Sequence, residues 1–96
     1  MTLRVAVLDS GFDLREALTG RNFSGSETAP LLPHGAMVAA LLRDAAPDAA
    51  LLDGRLFGDR LQTTAATVAE AVDWAREQGA SIINLSLGLR EDRAVL

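Results

Sequence analysis

The chain has 96 residues, of which 49% are hydrophobic and 23% charged, as is typical of one small globular domain rather than a disordered segment. Its net charge of −4 argues against nucleic acid as a partner, and the absence of cysteine excludes disulfides and thiolate metal sites. No segment has the pattern of a signal peptide or of a membrane-spanning helix. We therefore expect a cytoplasmic protein without membrane contact, with a single domain over residues 1–96, of which 1–88 form the core and 89–96 a tail.

The first predicted element is a short buried strand. The apolar run Val5–Leu8 is too short for a helix and suits a strand of a parallel sheet that is covered on both faces. Gly11 permits a sharp turn, which leaves Asp9 at the carboxyl end of the strand, where ligands and catalytic groups gather in open α/β sheets. These residues alone leave three interpretations of Asp9: a catalytic acid, a metal or phosphate ligand, or a turn residue.

A short helical turn is predicted over 12–18, followed by a loop from Thr19 to Pro33 that is rich in glycine, proline and serine. The segment His34–Arg43 is apolar on nearly every face and therefore predicts a buried helix, whose small residues permit a close approach to the sheet. Because Pro33 favours a helix start, His34 is expected at the helix N-terminus, near the loop edge of the sheet.

The second half of the chain predicts a strand, a helix and a further strand. The strand covers Ala49–Leu56, with Gly54 as a weak spot or bulge. The helix begins at Thr63 or Thr64, which can cap it, and ends near Gln78.

Gly79 is the expected C-cap residue of that helix, and Ser81–Ser86 form the third strand. Alternation of strands and helices predicts an α/β fold with a parallel sheet.

Four segments resemble, in the same order, those of subtilisin-like serine proteases. The family's aspartate strand is similar to Val5-Ala-Val-Leu-Asp-Ser-Gly11, and its histidine helix to His34-Gly-Ala-Met-Val-Ala-Ala40. The other two are Ala46-Pro-Asp-Ala-Ala-Leu51, and Ala71-Val-Asp-Trp-Ala75 followed by Ile82-Ile-Asn-Leu-Ser-Leu-Gly88. The resemblance covers nearly the whole chain.

The resemblance implies a truncated subtilisin-like α/β/α fold, with a short sheet of about three strands in the order 2-1-3 and two main helices. It also implies that Asp9 is the catalytic acid and His34 the general base. The base removes a proton from a serine hydroxyl, and the buried carboxylate orients the imidazole and stabilises its charged form. Substrate would be bound by the end of the last strand, at Asn84, Leu85, Ser86, Leu87 and Gly88. Some members of the family bind calcium, but no spacing of Asp and Glu residues here makes a convincing metal site, and no cofactor is expected.

The chain also departs from the family pattern. Ala36, Met37 and Ala40 replace the usual threonine, histidine and glycine, and the interval from Asp9 to His34 is short, which predicts that a strand-containing excursion has been trimmed. The segments with the oxyanion-hole asparagine and the nucleophilic serine have no counterpart. We therefore expect the chain to be inactive alone.

Two functions remain open. The first is a non-catalytic module that binds a peptide or partner protein, and the alternative is one half of a split serine endopeptidase that another chain completes. The apolar strand Ser81–Ser86 is expected to lie at an unpaired sheet edge, which favours a homodimer through that edge.

Overall fold

The computed structural model describes residues 2–27, 33–58 and 62–86. The elements in chain order are β1 (Arg4–Asp9), a 3-10 turn (Leu14–Glu16), β2 (Thr19–Asn22), α1 (His34–Ala45), β3 (Ala50–Arg55), α2 (Ala65–Glu77) and β4 (Ile82–Leu85). Among these described elements, no helix combines the length and apolarity needed to cross a lipid bilayer.

The sheet has four parallel strands in the order β2-β3-β1-β4. The relative order predicted for the three strands β3, β1 and β4 is confirmed, with β1 between the other two. The predicted number of strands is wrong, because β2 lies in the segment expected to be a loop, and the interval between Asp9 and His34 therefore does contain a strand. Its sequence Thr-Gly-Arg-Asn lacks apolar alternation, and β2 is held by backbone hydrogen bonds to β3 at the sheet edge.

The two helices cover opposite faces of the sheet. Alternate residues of β1 belong to two hydrophobic clusters, because successive side chains of a strand point to opposite faces. Ala6 and Leu8 pack in the cluster of α2, together with Trp74. Val5 and Val7 pack in the cluster of α1. Trp74 is 7% exposed and makes an edge-to-face contact with Phe23, so its role is packing.

The prediction that α1 is a buried helix is wrong. Only Gly35 and Ala39 of this helix are buried, whereas Met37 is 60% and Leu41 69% exposed. The sheet contacts one face of the helix, and no segment within 2–27, 33–58 or 62–86 covers the other. The apolar composition of the helix did not reveal that its outer face lies open.

Two glycines allow the chain to pack closely or to turn. The register of β3 against β1 runs without interruption through Gly54, so the predicted bulge is absent there. A side chain at this position would meet Leu8 and Trp74, which fill the space above the glycine. Gly79, predicted as the C-cap residue of α2, instead follows the C-cap residue Gln78 and ends the helix with φ +81°.

Candidate functional site

The carboxyl end of β1 presents Asp9 to the α1 face of the sheet. Its backbone carbonyl accepts a hydrogen bond from the Leu56 N–H at 2.7 Å, which ties the strand end to β3. The side chain is 1% exposed, and its Oδ1 accepts the Ser10 N–H at 2.6 Å. Gly11 then turns the chain with φ +95°. A buried carboxylate of this kind needs hydrogen-bond donors and an opposite charge, because burial removes it from water.

His34 supplies the second partner of this carboxylate. Its Nδ1 lies 2.8 Å from Asp9 Oδ2, and its side chain is 58% exposed. With Asp9 ionised, the Nδ1–H donates to the carboxylate, which leaves the lone pair of the ring on Nε2. The structure thus brings together the two residues that the sequence resemblance selected as acid and base. The carboxylate contacts the ring from the protein interior, and the rest of the ring is exposed to solvent.

The first turn of α1 rests directly on the turn that follows Asp9. The Gly35 N–H donates to Ser10 Oγ at 2.9 Å, which satisfies one of the free amides at the helix start. A Cβ at Gly35 would lie 2.6 Å from the carbonyl oxygen and 2.8 Å from the nitrogen of Gly11. Only glycine permits this approach, and the approach brings His34 within reach of Asp9.

Two further charged residues, which no sequence motif singled out, are buried beside Asp9. Asp53 and Arg55 of β3 are 4% and 6% exposed. Their places in the sheet register are opposite Val7 and Asp9, so both side chains share the α1 face. The sequence does indicate a shared face for these residues, because two charges two positions apart stand within an otherwise apolar strand.

The two buried charges bind backbone groups near the site. Asp53 Oδ2 accepts the Phe12 N–H at 3.3 Å, and Arg55 Nε donates to the Phe57 carbonyl at 3.0 Å. Burial raises the pKa of Asp53 to about 6, and the Asp9 charge adds to this effect. The Phe12 amide and the Arg55 guanidinium oppose the rise in pKa without cancelling it.

The predicted substrate-binding segment lies on β4, the sheet edge next to β1. Leu85 pairs in register with Leu8, so Ser86 is level with Asp9 at the same end of the sheet. The Ser86 hydroxyl donates to Asn84 Oδ1 at 3.3 Å, and Leu85 is 40% exposed. The other two predicted residues, Leu87 and Gly88, lie outside the described residues.

A scan of the chain against protein-family models and a search of curated proteins both give no match. Within the described part of the chain, no group of three or more histidine, cysteine, aspartate or glutamate side chains is placed to hold a metal ion.

We expect Gly35→Ala to destabilise the domain, although alanine favours helix by about 1 kcal/mol over glycine. The new methyl group would collide with the Gly11 backbone, and crowding of this kind costs about 1–3 kcal/mol. Urea denaturation measures the change. Ala36→Ser, at the exposed neighbouring position, is the control and should cost less than about 1 kcal/mol. A Gly35→Ala variant more stable than the wild type would contradict the close approach.

We expect Asp53→Asn to change the pH dependence of stability. The folded pKa of Asp53, about 6, exceeds the ordinary aspartate pKa of 3.8, so the folded state binds more protons between these pH values. The stability contributed by Asp53 is therefore highest at low pH and falls as the pH rises through this window, by up to about 3 kcal/mol.

The asparagine variant cannot titrate at this position. Its stability relative to the wild type, measured by urea denaturation, should increase from pH 4 to pH 7 by about 2–3 kcal/mol. Asp73→Asn, on the exposed face of α2, is the matched control and should show no such increase. A difference between Asp53→Asn and the wild type that is constant across this pH range would show that burial does not perturb the carboxyl.

Proposed function

We propose that this chain provides the acid and base of a subtilisin-like serine peptidase site, completed by a nucleophilic serine from another polypeptide segment. The observation that carries the proposal is the 2.8 Å contact between the Asp9 carboxylate and the His34 imidazole. The carboxylate is buried and the imidazole exposed. This arrangement suits a general base whose Nδ1 is held by a carboxylate and whose Nε2 accepts a proton from the solvent side.

The chemistry follows from the position of the protons. While His34 Nδ1–H donates to Asp9, the Nε2 lone pair is available to a serine hydroxyl. As the serine oxygen attacks a peptide carbonyl carbon, its proton moves to Nε2, and the adjacent carboxylate stabilises the imidazolium. The same proton then passes to the leaving amine when the C–N bond breaks. Proton transfer by such a base contributes about 10²–10⁴-fold to the rate.

The nucleophile must come from elsewhere. The 96 residues contain no Gly-Thr-Ser segment of the kind that carries the serine in the resembled family. Ser10 is next to Asp9 in sequence, but it is fully buried and its Oγ accepts the Gly35 N–H, which gives it a structural role. The four segments that resemble subtilisin-like proteases, and the central place of β1 in a parallel sheet, support the same assignment of roles.

The proposal predicts that a fluorophosphonate probe labels a serine-bearing polypeptide that co-purifies with this chain from its native host. The purified 96-residue chain should remain unlabelled. His34→Ala should reduce labelling of the complex by about 10²–10⁴-fold, and Asp9→Ala should reduce it strongly as well, because both act on the serine proton. Asp73→Ala, which removes an exposed carboxylate on α2, should leave labelling unchanged.

Two results would contradict this function. Labelling of the complex that survives both Asp9→Ala and His34→Ala would remove the acid–base role. Labelling of the isolated chain would place a reactive serine among residues to which the proposal gives no such role. Circular dichroism of each variant establishes that the fold is intact.

A second function, a module that binds a peptide or partner protein, is favoured by the exposed edge of β4. Among the described strands, β4 pairs only with β1. Ile82 and Leu85 are 49% and 40% exposed, and the strand contains no charge or proline that would protect the edge. An extended peptide can add to such an edge through backbone hydrogen bonds. A second copy of the chain can do the same and form a two-fold homodimer.

We expect Ile82→Lys to weaken self-association, because a lysine at a strand edge opposes pairing with another strand. Sedimentation of the wild type at micromolar concentration should give a dimer, and the variant should shift towards the monomer. Leu41→Lys places the same charge on the exposed face of α1 and serves as the control, with no expected shift. A wild-type chain that sediments as a stable monomer would refute the homodimer.

A further inference from the structure

The structure contains a buried carboxylate that the proposed acid–base chemistry does not use. Asp53 lies on the face of β3 that α1 covers, next to apolar neighbours such as Val7. Among the described residues, its Oδ1 has no hydrogen-bond partner, and Oδ2 accepts the Phe12 N–H. An apolar side chain would fill a strand position of this kind at lower cost, because a buried carboxylate loses its hydration. The contact to Phe12 is therefore the feature that distinguishes Asp53 from a core residue.

The Phe12 amide connects Asp53 to the acid–base pair. Phe12 ends the turn that begins at Ser10, whose N–H binds the Asp9 carboxylate and whose hydroxyl receives the Gly35 N–H. This turn is thus held from β3 through Phe12 and from α1 through Gly35. A displacement of the turn would move the Ser10 donor away from Asp9. It would also change the position of the first turn of α1, which rests on Ser10.

We propose that Asp53 is a positioning residue that fixes the Ser10–Phe12 turn and, through it, the alignment of Asp9 with His34. This role rests on the proposed function of Asp9 and His34 as acid and base. The hydrogen bond of Asp53 is to the Phe12 amide, whereas the His34 ring binds Asp9. It acts by accepting one backbone amide and so setting where the Asp9 carboxylate and the start of α1 meet.

Nuclear magnetic resonance can test this role without any enzyme assay, because His34 is the single histidine of the chain. Imidazole ¹⁵N shifts report which ring nitrogen carries the proton, and amide exchange reports the Phe12 hydrogen bond. Three variants are compared with the wild type. Asp53→Leu removes the acceptor at similar size, Asp53→Asn keeps an acceptor oxygen, and Asp13→Asn changes an exposed carboxylate next to Phe12.

The wild type and Asp53→Asn should hold the His34 proton on Nδ1 and protect the Phe12 amide. Asp53→Leu should shift the ring towards the tautomer protonated on Nε2 and accelerate exchange of the Phe12 amide by about tenfold. Asp13→Asn should match the wild type. An Asp53→Leu protein that folds and keeps both signals unchanged overturns the proposal, and so does loss of both signals in Asp53→Asn.

A measurement on the wild type keeps the proposal testable if Asp53→Leu does not fold. During a pH titration, the Phe12 amide proton shift should follow the shift of the Asp53 carboxyl carbon, and failure to follow it overturns the proposal. These readouts are separate from the fluorophosphonate experiment. If Asp53→Leu disturbs His34 while no serine-bearing partner is labelled, the positioning role stands and the peptidase function fails.

Discussion

The structure depends on keeping the charged Asp9 side chain at the end of a buried strand. The Asp9 carboxylate is 1% exposed, and its two oxygens bind the Ser10 amide and the His34 ring. The Ser10 amide contacts the carboxylate from within the protein, whereas the His34 ring contacts it from the solvent side, where water screens the attraction between the two groups. The same contact therefore joins the sheet to the N-terminus of α1 and orients an exposed imidazole. Stability and chemical capability share one interaction here.

The buried side chains around this contact include more acidic groups than basic ones. Asp9 and Asp53 are two buried acids on one face of the sheet, and Arg55 is the one permanent cation buried with them in the part of the chain described. Burial raises the pKa of Asp53, the Phe12 amide and the Arg55 charge oppose this rise, and the Asp9 charge adds only the smallest contribution. An imidazolium that forms on His34 during proton transfer would balance the Asp9 carboxylate directly. The buried cluster is thus suited to stabilise the charge that a general base acquires.

Much of the fold could be predicted from the sequence, because β1, β3, β4 and α2 have the apolar runs and end signals of their types. The strand β2 was missed because it is held by backbone pairing at an edge, which side-chain patterns do not encode. The exposure of Met37 could not be predicted, because it depends on whether another segment packs on the outer face of α1, and the helix sequence does not encode that. Asp9 and His34 were selected by resemblance, since residues 25 positions apart give no local sign of contact. Asp53 was missed because its burial follows from strand register.

The exposure of His34 favours the proposed role as a base over a purely structural role. A histidine that served only to neutralise Asp9 would stabilise the fold best if it were enclosed, where a lower dielectric strengthens the attraction between charges. Instead the ring is more than half exposed, and solvent weakens the pair that it forms. The Ser10 amide already donates a hydrogen bond to the carboxylate from the protein side. Because the ring is exposed, its Nε2 atom is accessible to a hydroxyl group from outside the domain.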